Sequence, residues 1–299
     1  MDTKKATICV IAAGALWGCI SLFVRALNAA GLSAIDISCV RMVVGVACML
    51  LVLLAVDRDA LRIRVRDLWL FAGTGIVSVT FFNWCYFTCI ELSEVSIAVV
   101  LLYTSPVFVM LMSALFFKER ITARKLVALA CTFAGCVLVA GVVGTGVQIG
   151  PLALGMGVAS GFFYALYSVF SRVALRRYDP LTITFYTFAM GSVACLLLAD
   201  PPAIAGTLAA NPQVIWLCVG IGIMCTVFPY ILYTIGLRGM ETGRAAILAT
   251  VEPLVGAIIG IFVFAESTDL AKLAGMALIL AAVLVLNTGQ KHRGSADAS

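Results

Sequence analysis

The sequence predicts an all-α polytopic membrane protein: ten transmembrane helices as two inverted five-helix repeats, with both termini cytoplasmic. Three observations predict it. First, 63% of the 299 residues are hydrophobic and 12% charged, whereas a water-soluble domain carries about 25% charged residues. Second, apolar runs recur at lengths that approach or exceed the roughly 20 residues that cross a bilayer core. Third, a single offset of 147 residues lays one half of the chain on the other.

The runs cover residues 6–24, 37–56, 68–90, 95–117, 126–149, 150–171, 181–199, 213–237, 245–265 and 273–286. Lipid offers the backbone no hydrogen-bond partner, so each run must be helical. Basic residues test the count, because they gather in short cytoplasmic loops. With the N-terminus inside, cytoplasmic segments hold Lys4 and Lys5; Arg58, Arg62, Arg64 and Arg66; Lys118, Arg120, Arg124 and Lys125. They also hold Arg172, Arg176 and Arg177; Arg238 and Arg244; Lys291 and Arg293, which makes seventeen of the 20. Arg25 and Lys272 lie toward the outside, and Arg41 falls within a span. The net charge of +5 thus reflects topology and gives no reason to expect nucleic acid. MDTKK and the long run behind it read as a retained first helix without a convincing cleavage site. The polar stretch after residue 288 reads as a disordered tail.

The repeat is visible residue by residue. Gly14, Ser21, Phe23 and Arg25 fall on Gly161, Ser168, Phe170 and Arg172, and "WLFAGTGI" at 69–76 falls on "WLCVGIGI" at 216–223. Phe81 and Tyr86 fall on Phe228 and Tyr233; Pro106, Phe117, Glu119 and Lys125 fall on Pro253, Phe264, Glu266 and Lys272. No gap is needed. The units are 1–147 and 148–288, followed by a cytoplasmic tail, 289–299. Five helices is an odd number, so the second unit enters the membrane from the opposite side. Secondary transporters use this architecture, with a substrate site near the midplane between the repeats.

Several stretches point to one family. The first span carries "ALWGCISLFVR" and the next carries "DISCVRMVVGVACML"; both resemble the EamA-type transporters of the drug/metabolite transporter superfamily. So do "SPVFVMLMSALFFKE" and "EPLVGAIIGIFVFAE", and the resemblance covers about residues 6–288. It implies a ten-helix fold and a family that includes exporters of amino acids and other metabolites.

Other chemistries find little to use. The single histidine, His292, lies in the tail, which removes histidine triads, H-E-x-x-H zinc sites and histidine proton relays. Eleven cysteines sit almost wholly in apolar runs with no C-x-x-C pair, and read as small packing residues. Gly14/Gly18, Gly157/Gly161 and Gly256/Gly260 are small-xxx-small pairs suited to close helix packing. No metal or cofactor is expected, and an intramembrane enzyme or sensor is the alternative from another class.

Charge inside a span costs about 2.5–3.5 kcal/mol on insertion scales and points to function. Glu252 lies near the midplane and Arg41 in the outer half. Glu252 either is structural, paired with Arg41, or faces a cavity to bind an amino-bearing substrate or carry a coupling proton. Arg41 either supports packing or binds an anion. Trp17, Asn83, Tyr86, Tyr103, Tyr164 and Tyr233, with Ser21, Ser105 and Ser168, complete a candidate pocket, against ordinary packing or an aromatic belt. Pro106 and Pro253 are candidate hinges, and Glu119 and Glu266 candidate structural or gating caps at span ends.

Together these imply a secondary transporter in a plasma membrane, such as a bacterial inner membrane. It would export a small organic metabolite, an amino acid or amine, by alternating access, as a monomer or homodimer. A proton gradient, a substrate gradient or simple facilitation would supply the drive. The alternative within transport is a facilitator or importer of nucleotide-like or sugar-like solutes.

Overall fold

A computed structural model describes residues 2–142 and 149–288, so the tail with His292 lies outside the described residues. Among the described residues all regular structure is helical. In chain order the helices are α1 (Thr3–Ala29), α2 (Ala34–Val56), α3 (Val65–Leu92) and α4 (Val95–Phe117). There follow α5 (Ala123–Val139), α6 (Pro151–Ala174), α7 (Pro180–Leu196), α8 (Pro201–Ala210), α9 (Val214–Arg238), α10 (Thr242–Phe262) and α11 (Leu270–Thr288). Their ends are set locally. Asp2 accepts from Lys4 N at α1, Ser33 and Asp36 form a reciprocal capping box at α2, and prolines open α6, α7 and α8, where no backbone donor is lost.

Eight of these helices are long and apolar enough to cross a membrane, and nine if the bent pair α7–α8 is one span. The expected count was ten. The difference lies in α5 and α7, which have 17 residues each, and in α7 the chain turns by 97° into α8 where a longer run was expected. Outward-facing apolar side chains such as Leu115 (75% exposed) and Phe262 (82%) suit a lipid environment. The protein is a multi-pass membrane protein.

Six helices form the centre. α1 packs on the second part of α9 and on both parts of α10; α6 packs on the second part of α3 and on both parts of α4. α2 pairs with α7 on one flank, and α5 with α11 on the other. Glycines permit the central approach. A Cβ on Gly14 would lie 2.5 Å from Ala249 O, and one on Gly161 3.0 Å from Leu101 O. Gly256 has only Gly18 O, at 3.8 Å, so that small-residue pair does not seat a neighbouring helix closely.

Irregularities recur at the same offset as the sequence. A π-helical stretch occupies Gly73–Thr80 in α3 and Ile223–Val227 in α9. α4 breaks at Tyr103–Thr104 and α10 at Thr250. Lys118 (φ 56°) and Ala265 (φ 51°) both adopt the left-handed region at the ends of α4 and α10. α1 departs from the pattern: it breaks at Cys19, whereas α6 is continuous.

Candidate functional site: a tyrosine-lined cavity at Glu252

The breaks in α4 and α10 open the centre of the bundle. Around them lies a narrow, water-sized cavity of about 30 Å³, lined from all six central helices. Its lining, mostly apolar with a few convergent polar groups, is that of a small-molecule site. α1 contributes Trp17; α3 contributes Ser78, Val79 and Phe82; α4 contributes Tyr103, Ser105, Pro106 and Val109. Opposite them are Tyr164, Tyr167 and Ser168 from α6, Tyr230 and Tyr233 from α9, and Ala246, Ala249, Thr250 and Glu252 from α10.

The aromatic wall is braced from behind. Tyr230 meets Trp17 edge-on at 5.5 Å and Tyr167 at 5.0 Å, and Phe82 meets Tyr164 at 5.1 Å. Two hydroxyls are taken by the protein: Tyr233 shares a 2.7 Å hydrogen bond with Ser168, and Tyr167 a 2.8 Å bond with Thr234. Among the described residues, the hydroxyls of Tyr103, Tyr164 and Tyr230 and the carboxylate of Glu252 have no hydrogen-bond partner. Glu252 retains partial exposure within the bundle because it faces this cavity.

The sequence-derived candidates divide. Glu252, Trp17, Tyr103, Tyr164 and Tyr233 come together on the cavity, with Ser105, Ser168 and Pro106. Arg41 does not line it. Its Nε donates to Thr226 Oγ1 (2.9 Å) and its Nη2 to Cys225 O (3.4 Å), both in the π-helical stretch of α9. Among the described residues no carboxylate lies within ion-pair distance of Arg41, so it is not paired with Glu252. Asn83 is also off the cavity, because its amide is used within the bundle: Nδ2 donates to Val79 O (2.7 Å) and Oδ1 accepts from Ser38 (3.3 Å). Tyr86 packs between Phe82 and Phe87 instead of lining the space. Ser21 lies elsewhere too, its hydroxyl buried without a partner among the described residues.

The prolines do not kink continuous helices. Pro106 stands in the first turn of Ser105–Phe117 and Pro253 in the first turn of Val251–Phe262, where a missing backbone donor costs little. The helix breaks lie about one turn earlier, at Tyr103–Thr104 and Thr250. Sequence reasoning missed Phe82, Tyr167, Tyr230 and Thr250. Tyr164/Tyr167 and Tyr230/Tyr233 are spaced by three, which puts each pair on one helix face; that spacing was the available signal.

Outside the spans, Glu266 accepts from Arg25 and from Lys272 Nζ (3.1 Å). Burial opposes its charge, but these two cations outweigh burial and hold its carboxyl below the ordinary glutamate value. Among the described residues no cluster of three His, Cys, Asp or Glu side chains could hold a metal.

The EamA-like transporter family matches the chain twice, over residues 4–141 and 151–288. The chain belongs to that family. An uncharacterized transporter of Archaeoglobus fulgidus is 34% identical to this EamA-like chain over 206 residues, 67% of this chain and 70% of the relative. The Bacillus subtilis uncharacterized transporter YojE is 24% identical over 299 residues, covering 97% and 95% of the two chains. The threonine/homoserine exporter RhtA of Escherichia coli is 28% identical over 208 residues, covering 69% and 67%. A solved crystal structure superposes with a TM-score of 0.80 over 97% of this chain and 98% of its own, at 19% identity. At that identity the likeness concerns the fold alone.

Proposed function

We propose that this EamA-like protein is a secondary transporter that exports an amine-bearing metabolite, such as an amino acid, across the plasma membrane. The cargo's ammonium would sit against Glu252 inside the tyrosine-lined cavity. The observation that carries this reading is the Glu252 carboxylate, which faces a mostly apolar cavity with no cation of the described residues in ion-pair reach. A charge so placed is costly unless it is paired, and a cationic cargo or a coupling proton supplies the partner. The unpartnered hydroxyls of Tyr103, Tyr164 and Tyr230 add acceptors, and their ring faces favour an ammonium. Arg41 contributes a fixed positive field from its seat on α9 and is not a direct ligand. The exporter named among the relatives, RhtA, supports both the direction and the amino acid class.

In this reading the chain has ten spans, α5 and α7 included, as two inverted units with both termini in the cytoplasm. The breaks at Tyr103–Thr104 and Thr250 serve as paired hinges for alternating access.

The test is efflux from proteoliposomes loaded with radiolabelled threonine, homoserine and simple amines. Wild-type protein should release at least one amine-bearing solute chemically unchanged. Truncating one partner of a desolvated charge pair costs about 2–5 kcal/mol, upwards of ~30-fold in affinity, so Glu252→Gln should lose that efflux while remaining folded. Wild-type efflux by Glu252→Gln would remove Glu252 from the binding site.

A further inference from the structure

The repeat supplies both ends of the central bundle with the same parts, yet the parts are joined differently. At one end α4 finishes in left-handed Lys118, and the Glu119 amide returns to Ser113 O (3.2 Å). This turn brings the Glu119 carboxylate to α10, where it accepts from Thr242 N (2.6 Å) and Gly243 N (3.1 Å). These are first-turn amides with no acceptor in their own helix. Lys125 lies 2.9 Å from Glu241 and 3.8 Å from Glu119. Arg172 on α6 donates to Leu237 O (2.6 Å) and Met240 O (3.1 Å) at the end of α9. Here Ser105–Phe117 packs along Thr242–Ala249, and Thr242 is fully buried.

Each of these groups has a counterpart 147 residues away. Ala265 stands for Lys118, and the Glu266 amide returns to Gly260 O (3.0 Å). Lys272, Arg25 and Glu94 stand for Lys125, Arg172 and Glu241; Val95 and Ser96 stand for Thr242 and Gly243. The contacts differ. Glu266 holds Arg25 and Lys272 and caps no helix. Arg25 lies over the Phe264 ring at 4.0 Å instead of reaching the Ile90 and Ser93 carbonyls. Val95 is 58% exposed, and Val95–Leu102 does not pack along Val251–Phe262 as its counterpart packs. At one end Glu119 caps the facing helix of the other repeat; at the other end the repeats are joined through the Arg25–Glu266 pair, and the facing helix start is left uncapped.

We propose that Glu119 and Glu266 are the two halves of a reciprocal latch: when the Glu119 end opens, Glu266 leaves Arg25 and Lys272 and caps Val95 and Ser96, closing the opposite end. Arg25 then reaches the Ile90 and Ser93 carbonyls, as Arg172 now reaches those of Leu237 and Met240. The latch deepens the transport reading by naming what seals the cavity on each side. Its test reads backbone amides and needs no substrate, so a failed transport assay leaves it standing.

Hydrogen–deuterium exchange in lipid nanodiscs, followed at Thr242–Ala245 and at Val95–Ala98, gives that reading. Wild-type protein should exchange slowly at the first segment and fast at the second. Glu119→Gln should speed the first and slow the second. Speeding at Thr242–Ala245 with Val95–Ala98 unmoved would mean a purely local cap and overturns the proposal. A second variant works in an otherwise wild-type chain. Val95 is the first residue of its helix, and Glu94 before it is extended (φ −107°, ψ 151°), as a residue preceding proline must be. Val95→Pro should therefore fold with an unchanged melting temperature. By deleting an amide that Glu266 would use, it should slow exchange at Thr242–Ala245. Unaltered exchange there in Val95→Pro also overturns the proposal.

Discussion

Arg41 and Glu252 are both charged side chains within the apolar bundle, and the bundle treats them in opposite ways. Arg41 is anchored by Thr226, whose side chain is fully buried, and by the Cys225 carbonyl. Glu252 is left to the cavity. Removing the Thr226 hydroxyl should strand Arg41 Nε, at a cost of about 1–3 kcal/mol for a buried donor left without an acceptor. Thr226→Val should therefore melt lower than wild type in detergent. Glu252→Gln should melt no lower, since it breaks no contact within the protein and removes a charge from a low-dielectric space. Differential scanning fluorimetry on the two variants checks both signs. Glu252 was legible in the sequence because an acidic residue at mid-span has few inexpensive roles. Asn83 was misplaced because a polar side chain in a helix can satisfy itself on the preceding turn, as it does at Val79 O, and nothing in residue type reveals that. Tyr167 and Tyr230 were missed for a related reason. Their counterparts are Ile20 and Asn83, so a search for aromatics present in both halves passes over them.

At several central crossings glycine lets the helices approach closely. A Cβ at Gly14 would press on the Ala249 carbonyl at 2.5 Å, and backbone yields less readily than a side chain. Gly14→Ala should cost about 1–3 kcal/mol of overpacking. Gly155 has nothing within 4 Å of its notional Cβ, so Gly155→Ala should be neutral or stabilise by up to ~1 kcal/mol through helix propensity. Thermal melts of the two variants should move in opposite directions, or Gly155→Ala not at all. Apolar run lengths were enough to locate most helices. The breaks at Tyr103–Thr104 and Thr250 were legible only as nearby prolines, and the π-helical stretches were not legible at all. A π turn has no residue signature; it reflects how neighbouring helices accommodate one extra residue, which is a tertiary matter.

At the scale of the molecule, charge distribution sets the orientation to be tested. The loop that holds Arg58, Arg62, Arg64 and Arg66 should share the cytoplasmic side with the C-terminus. Green fluorescent protein fused after Asp67 or after Ser299 should fluoresce in a bacterial host; a dark fusion at Ser299 would mean an uncounted or missing crossing. Composition and run lengths made the all-helical, multi-span class legible because they are averages over many residues. The wiring of the two ends was not, since it depends on which of two equivalent partners each carboxylate has taken. The shared parts at the two ends have one more consequence. Such a scaffold has no intrinsic arrow, and a preference for outward over inward movement must be written in residues that differ between the halves. On the cavity wall those include Glu252, where the other half has Ser105, and Tyr230, where it has Asn83. Exchanging the first pair, with Ser105→Glu and Glu252→Ser together, would leave the cavity's charge unchanged and move its carboxylate to the position 147 residues away in the other half.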